Sequence, residues 1–193
     1  AESADNLKHL VRFYAPSAYQ LLDFTYGNGT LSSRMWMPVV GVDIDPTSKA
    51  SIIGDSTNLP QFAGGTFQVA VYDPPYLYGT KAMHMGPVGQ RTWESARSTW
   101  KKPEELVALT NGISKELSRL LQPHGVVITK IMDSRYKGRL VRNHDLVTGC
   151  FEANGFILAD QIVYIRTVTG SFVNKKSAQN AHGYYLIFKK GTA

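Results

Sequence analysis

Leu21-Leu22-Asp23-Phe24-Thr25-Tyr26-Gly27-Asn28-Gly29-Thr30 is the stretch on which the reading of this chain turns. The apolar run over residues 20–24 reads as a buried strand that breaks into a glycine-containing turn over residues 25–29. The spacing then predicts a helix from about residue 30 that stops before Pro38. Glycines in such a turn let the backbone pass close to a ligand, and a helix start offers unpaired N–H groups. Working outward, residues 39–42 and 51–54 read as further strands, Phe67–Tyr72 as a fourth and residues 125–131 as a fifth. Lys102-Pro103-Glu104-Glu105 is a helix start, with proline and acids in the first turn. The spacing Leu106, Leu109, Ile113, Leu117, Leu120, Leu121 carries that helix to a stop at Pro123. A second helix is predicted over residues 140–154, closed by Gly155, and residues 156–166 and 184–188 read as an antiparallel pair at the sheet edge. Short apolar runs alternating with helix-length stretches predict an α/β fold. With no repeat, low-complexity tract or Pro/Ser linker, residues 1–193 read as one domain. Segments 77–102 and 167–182 stay unassigned, and loops of that length in a compact domain usually carry function.

At 193 residues the chain can bury a core without disulfides, and 43% hydrophobic with 19% charged residues excludes a disordered or collagen-like chain. No apolar run reaches the length of a membrane span. Cys150 stands alone, so it forms no internal disulfide and no zinc set, and a reducing, cytoplasmic setting is expected. The chain opens on alanine with no charged-then-apolar leader, so no signal peptide is expected. The net charge of +6 is uneven: residues 1–100 carry seven Lys/Arg against eight Asp/Glu, and residues 101–193 carry fourteen against seven. A basic second half is either a solvated surface or the footprint of a polyanionic partner.

Asp43 lies 20 residues beyond Asp23 and closes the second strand, a spacing that suits a carboxylate accepting both hydroxyls of a ribose. Asp55 follows the third strand in the same way. Each alone reads equally well as a capping residue; three acids in order at carboxyl strand ends point to an adenosine-containing cofactor. The most specific signal is Asp73-Pro74-Pro75-Tyr76, directly after the fourth strand. The carboxylate and a proline carbonyl can accept both hydrogens of a planar exocyclic amine, favouring a pyramidal nitrogen whose lone pair faces an electrophile. The tyrosine gives an unstacked base a face to lie on.

On these residues the chain resembles S-adenosylmethionine-dependent amino-group DNA methyltransferases of the adenine-N6 or cytosine-N4 kind. The resemblance spans roughly residues 18–190 and is nearest to small phage and actinobacterial members. Thr25 stands where the commoner Asp-x-Phe-x-Gly-x-Gly motif has an aromatic residue. The resemblance implies a Rossmann-like, seven-stranded, mostly parallel sheet with an antiparallel last strand. It implies S-adenosylmethionine as cofactor, S-adenosylhomocysteine as product and no metal. Gly27 and Gly29 would approach the methionine part, with Thr25 in the same loop and Asp23 beneath it. Asp43 would hold the ribose hydroxyls and Asp55 the adenine amine. Asp73, Pro74, Pro75 and Tyr76 would hold the target base, adenine favoured over cytosine. The setting implied is the cytoplasm of a bacterium or of a phage-infected host.

From Lys130 to Arg142 the chain carries five positive charges against one negative. Lys130 and Asp133 match a Lys-x-x-Asp of the smaller family and are expected at the site. Arg135, Lys137, Arg139 and Arg142 are expected on phosphates, or as the solvated start of the predicted helix. In the long loops Arg91, with Trp93, Arg97 and Trp100, and the polar stretch containing Lys175 and Lys176 are further candidates for nucleic-acid contact. His84, His124, His144 and Cys150 show no metal-ligand spacing, and His182 has no partner spaced for a triad. DNA is the expected partner ahead of RNA. An RNA amino-methyltransferase (ribosomal guanine N2 or adenine N6) and a silent methyltransferase-fold binding subunit are the alternatives. With only loops left for target recognition, a homodimer or an accessory specificity partner stays open.

Overall fold

The computed structural model describes residues 2–78, 99–165 and 182–191. The strands are β1 (Leu21–Asp23), β2 (Val39–Asp43), β3 (Ile52–Ile53), β4 (Phe67–Tyr72), β5 (Leu77–Tyr78), β6 (Thr99–Trp100), β7 (Leu121–Ile131), β8 (Ser134–Tyr136), β9 (Arg139–Val141), β10 (Phe156–Ile165) and β11 (His182–Lys190). The helices are α1 (Glu2–Tyr14), α2 (Pro103–Leu120) and α3 (Asn143–Ala153). Seven strands form one sheet in the order β10-β11-β7-β4-β1-β2-β3. Neighbours from β7 through β3 pair parallel, and β11 runs antiparallel to both β7 and β10. The predicted sheet with its antiparallel last strand and edge pair is therefore present. The strand order reverses between β4 and β1, the point at which α/β sheets bind ligands outside their carboxyl ends.

Period-two alternation sorts the strands' side chains onto two cores. Leu22, Ala70, Tyr72, Val127, Leu186 and Phe188 face α2 and α3, where Leu106, Ile113, Leu117, Val147 and Phe151 cover them. Leu21, Val69, Val71, Val126, Ile128, Tyr185 and Ile187 face α1, capped by its Leu7 and Val11. The same alternation carries Asp23, Asp73 and Lys130 onto the α1 face at the carboxyl ends of β1, β4 and β7. Register makes them neighbours: Asp23 pairs with Val71 and Val71 with Ile128, so Asp73 and Lys130, two residues further on, stand side by side.

Four expectations change. Residues 30–37 form turns, not a helix. Ser33 donates its hydroxyl to the Thr30 carbonyl at 3.0 Å and the Met35 amide closes on Ser32 at 3.2 Å. Such local bonds compete with helix formation, and Pro38 disfavours helical backbone at Met37. Second, α2 ends at Leu120, and β7 begins at Leu121 with Pro123 inside it. Third, α3 starts at Asn143 rather than residue 140, because residues 139–141 are the strand β9; Gly155, at φ +84°, closes it as expected. Fourth, α1 has no counterpart in the sequence reading, although Ala4, Leu7 and Val11 make a buried stripe and Glu2 and Asp5 lie in its first turn.

Candidate active site

The glycine turn is built by hydrogen bonds to its own acids. Asp23 is buried and its Oδ1 accepts the Thr25 amide at 3.1 Å. Burial raises the Asp23 carboxyl from an ordinary 3.8 to about 6, against the pull of the Thr25 N–H; Asp73 and Asp43 add to the rise. Gly27 adopts φ +53°, donates to Asp43 Oδ2 at 2.8 Å, and would direct a Cβ into open space. Gly29 adopts φ +73°, but the Tyr26 ring fills its open side: a Cβ there would stand 2.6 Å from the ring, and one at Gly41 2.4 Å. So Gly27 is the open approach, and Gly29 serves to seat Tyr26. Asp43 Oδ1 also accepts the Asp45 amide at 2.8 Å, leaving each carboxylate oxygen one further acceptor position. Asp55 is exposed and caps Thr57, accepting its amide at 2.8 Å and its hydroxyl at 2.7 Å through Oδ1. The adjacent Ser56 hydroxyl donates to the Phe24 carbonyl at 2.9 Å and pins this loop to the end of β1.

Three backbone groups of Asp73-Pro74-Pro75-Tyr76 are tied to other segments. The Asp73 amide donates to the Thr25 hydroxyl at 2.8 Å. The Trp100 indole donates to the Pro75 carbonyl at 2.7 Å, and the Asn143 amide to the Tyr76 carbonyl at 3.0 Å. The Pro74 carbonyl accepts no hydrogen bond among the described residues, and Lys130 Nζ approaches the Asp73 carboxylate at 3.2 and 3.4 Å. Burial pushes the Asp73 carboxyl up and Lys130 opposes the shift. Burial works against the Lys130 charge, but attraction from Asp73 and Tyr76 outweighs it and holds the ammonium above its usual range. Lys130, with Asp73 against it, lines a cavity of about 270 Å³ whose other walls are Tyr76, Tyr164 and the first turn of α1.

Sequence reasoning missed Asn143, which is fully buried. Its side chain also donates to the Met132 carbonyl at 2.8 Å and to Ser134 Oγ at 3.1 Å, and accepts the Tyr78 hydroxyl at 2.5 Å. It thereby fastens the tetrad loop to the end of β7. It also missed a chain of polar contacts drawn from separate strands and helices. His144 Nδ1 lies 2.7 Å from Asp133 Oδ1, the Tyr184 hydroxyl faces Asp133 Oδ2 at 3.5 Å and stacks its ring on His144, and His182 Nε2 meets that hydroxyl at 3.0 Å. Because β11 is antiparallel, its beginning lies at the edge where the parallel strands end. That places His182 and Tyr184 beside Asp133, a neighbourhood no local spacing shows.

The basic stretch divides. Lys130 is 14% exposed and paired with Asp73, so it belongs to the site interior rather than to a phosphate-facing surface. Arg135, Lys137 and Arg139 are exposed on the β8–β9 hairpin, not on a helix start; its two-residue turn uses positive φ at Lys137 (+49°) and Gly138 (+80°). Arg142 pairs with Asp145 at 3.0 Å. Trp100 packs against the core, whereas Arg91, Trp93, Arg97, Lys175 and Lys176 lie outside the described residues. Among the described residues no cluster of three or more His, Cys, Asp or Glu is arranged to hold a metal ion, and no helix is long and apolar enough to cross a membrane.

A family model described as DNA methylase, of the N6/N4 methyltransferase type, matches residues 67–193. Among solved structures, a candidate DNA modification methylase from Thermus thermophilus is 17% identical at TM-score 0.50, over 72% of this chain and 52% of that one. The chain thus spans about half that protein's length. A SAM-dependent methyltransferase from Methanosarcina mazei is 12% identical at TM-score 0.57, over 95% of this chain and 98% of the other. The [4+2]-cyclase SpnF is 14% identical at TM-score 0.60, over 98% and 82%. At these identities the likeness shows the fold alone, and a cyclase among the neighbours illustrates that chemistry has to be argued from the site. No curated protein matches the chain.

Proposed function

The chain belongs to the N6/N4 DNA methylase family, and from that premise we propose that it methylates the exocyclic amine of a base in DNA, adenine N6 ahead of cytosine N4, within this single domain. The observation that carries the reading is the Asp73 carboxylate at the end of β4, whose amide is tied to Thr25 of the glycine turn of β1, with the Pro74 carbonyl next in the chain taking no hydrogen bond among the described residues. A carboxylate and a neighbouring carbonyl together can accept the two hydrogens of one amine. Holding both turns the nitrogen lone pair outward, and positioning of this kind is worth up to about 7–11 kcal/mol of a barrier. A base within a duplex cannot reach a carboxylate at this depth, so the reading includes extrusion of the base onto Tyr76.

The residues present fit an S-adenosyl cofactor. Gly27 leaves open space, Asp43 keeps acceptor positions for a diol, and the raised Asp23 carboxyl is a group that a neighbouring cation would return to its charged form. Asp43 would hold the ribose and Asp55, through the oxygen not used on Thr57, the adenine amine. When bound, the cofactor supplies a methyl group already activated on a sulfonium. The chain's own task is then to hold the amine, keep Asp73 charged and exclude water; the amine proton can leave after transfer, so Asp73 need not act as a full general base. Arg135, Lys137 and Arg139 would carry the phosphate backbone, with Arg91, Lys175 and Lys176 as further candidates.

The test is incubation with methyl-labelled S-adenosylmethionine and, separately, duplex DNA, single-stranded DNA and RNA, followed by digestion to nucleosides and mass spectrometry. Labelled N6-methyladenine or N4-methylcytosine from DNA is expected. Label confined to RNA, or none despite bound cofactor, overturns the reading. Asp73→Ala should lower turnover at least about a hundredfold while cofactor affinity, followed by calorimetry, stays within twofold.

A further inference from the structure

Resting on the amine-methylation reading, we propose that Lys130 donates a hydrogen bond to the ring nitrogen adjacent to the target amine, so that Asp73 and Lys130 together read an amidine edge of the base. Lys130 Nζ stands 3.2 Å from Asp73 Oδ2 and 3.4 Å from Oδ1, on a neighbouring strand, and lines the cavity of which Tyr76 forms a wall. An ammonium carries three N–H groups. The carboxylate engages it from one side, and the side chain remains 14% exposed on the cavity side. An acceptor and a donor so placed complement an amine N–H next to a bare ring nitrogen, the pattern of adenine (N6 beside N1 or N7) and of cytosine (N4 beside N3). On the Watson–Crick edge of guanine the amine adjoins a ring N–H, which would meet the ammonium donor to donor. Lys130 is thus a specificity-determining group, favouring adenine and cytosine over guanine presented by its Watson–Crick edge, and not only the counter-charge of Asp73.

The groups facing Lys130 agree with this placing. Asp73 on β4, Tyr76 after it and Tyr185 on β11 all favour its charged form, and Glu2 of α1 lines the same cavity. A cation surrounded in this way keeps its proton across the working pH range and acts as a donor only.

The experiment uses the full chain and a duplex that it methylates. The target adenine is replaced by 1-deazaadenine or 7-deazaadenine, or a target cytosine by 3-deazacytosine. Turnover is measured with S-adenosylmethionine, and binding with S-adenosylhomocysteine present. Ratios to the parent duplex are taken within each variant, so that phosphate contacts cancel. For the native chain one deaza substitution should lower kcat/KM and affinity roughly 10- to 100-fold, the range of a lost specific base contact. In Lys130→Met the loss should shrink below twofold, and Lys130→Gln, which keeps an N–H, should retain part of it. The binding ratio remains readable where Lys130→Met has lost turnover. Equal parent and deaza values in the native chain, or the same loss with and without Lys130, overturn the proposal while leaving amine methylation standing. Failure to methylate any parent nucleic acid instead overturns the underlying function.

Discussion

Thr25 illustrates how one residue can be legible in place and illegible in purpose. By sequence it is an odd occupant of a position that holds an aromatic residue in the commoner motif; in the fold its hydroxyl accepts the Asp73 amide and so joins the glycine turn to the Asp-Pro-Pro-Tyr loop. The three strand-end acids are legible because apolar runs mark strand ends, but their individual environments depend on depth, which spacing does not encode. Asp23 is the deepest. Its folded value, about 6, lies above the ordinary 3.8, so the folded chain holds this proton more tightly than the unfolded chain. Its ionisation therefore costs nothing below pH 4, lowers stability progressively between pH 4 and 6, and costs about 3 kcal/mol above that window. Asp23→Asn, which keeps an oxygen for the Thr25 amide, should raise the melting temperature at pH 8 at roughly 2–4 °C per kcal/mol and leave it unchanged at pH 4. Thermal scans of both proteins at the two values check this. Cofactor affinity in the native chain should fall as pH drops through 6, as Asp23 takes up its proton, and that dependence should vanish in Asp23→Asn.

At the scale of elements, β1, β2, β4 and the β10–β11 pair are legible because each is an apolar run bounded by glycine, proline or a charge. α1 is not, since its stripe of Ala4, Leu7 and Val11 is narrow and interrupted by polar residues, and only packing on Val69, Val71 and Ile128 makes it a helix face. The β8–β9 hairpin reads in sequence as a helix start because its turn is Lys137-Gly138 rather than the Asn-Gly that usually announces such a turn. That difference gives a clean separation of fold from binding. Lys137→Asn supplies a residue that accepts positive φ more readily and removes one exposed charge. The melting temperature should hold or rise, by up to about 1 kcal/mol in stability, while affinity for duplex DNA falls. A loss of both together would show that Lys137 serves the fold and not the ligand.

For the molecule as a whole, the acidic first half builds the glycine turn and the basic second half contributes the hairpin and Lys130, all delivered to one edge of one sheet. This division is visible in the charge count, whereas the contacts that close it, Thr25 to Asp73 and Asn143 to Tyr76, span 48 and 67 residues and arise only from strand order. If Arg135, Lys137 and Arg139 each neutralise a phosphate, their joint replacement by alanine should flatten the plot of log affinity against log salt by about 2.7. Titrations of a duplex at several salt concentrations measure the slope directly, and an unchanged slope removes the hairpin from the nucleic-acid surface. The bond between Thr25 and Asp73 also bears on recombination among relatives. A chimaera that imports a glycine turn with phenylalanine at position 25 arrives without the Thr25 hydroxyl as acceptor for the Asp73 amide. In this chain the two loops are coupled, and a graft that keeps the Asp73 amide paired has to carry both or place a new hydroxyl there.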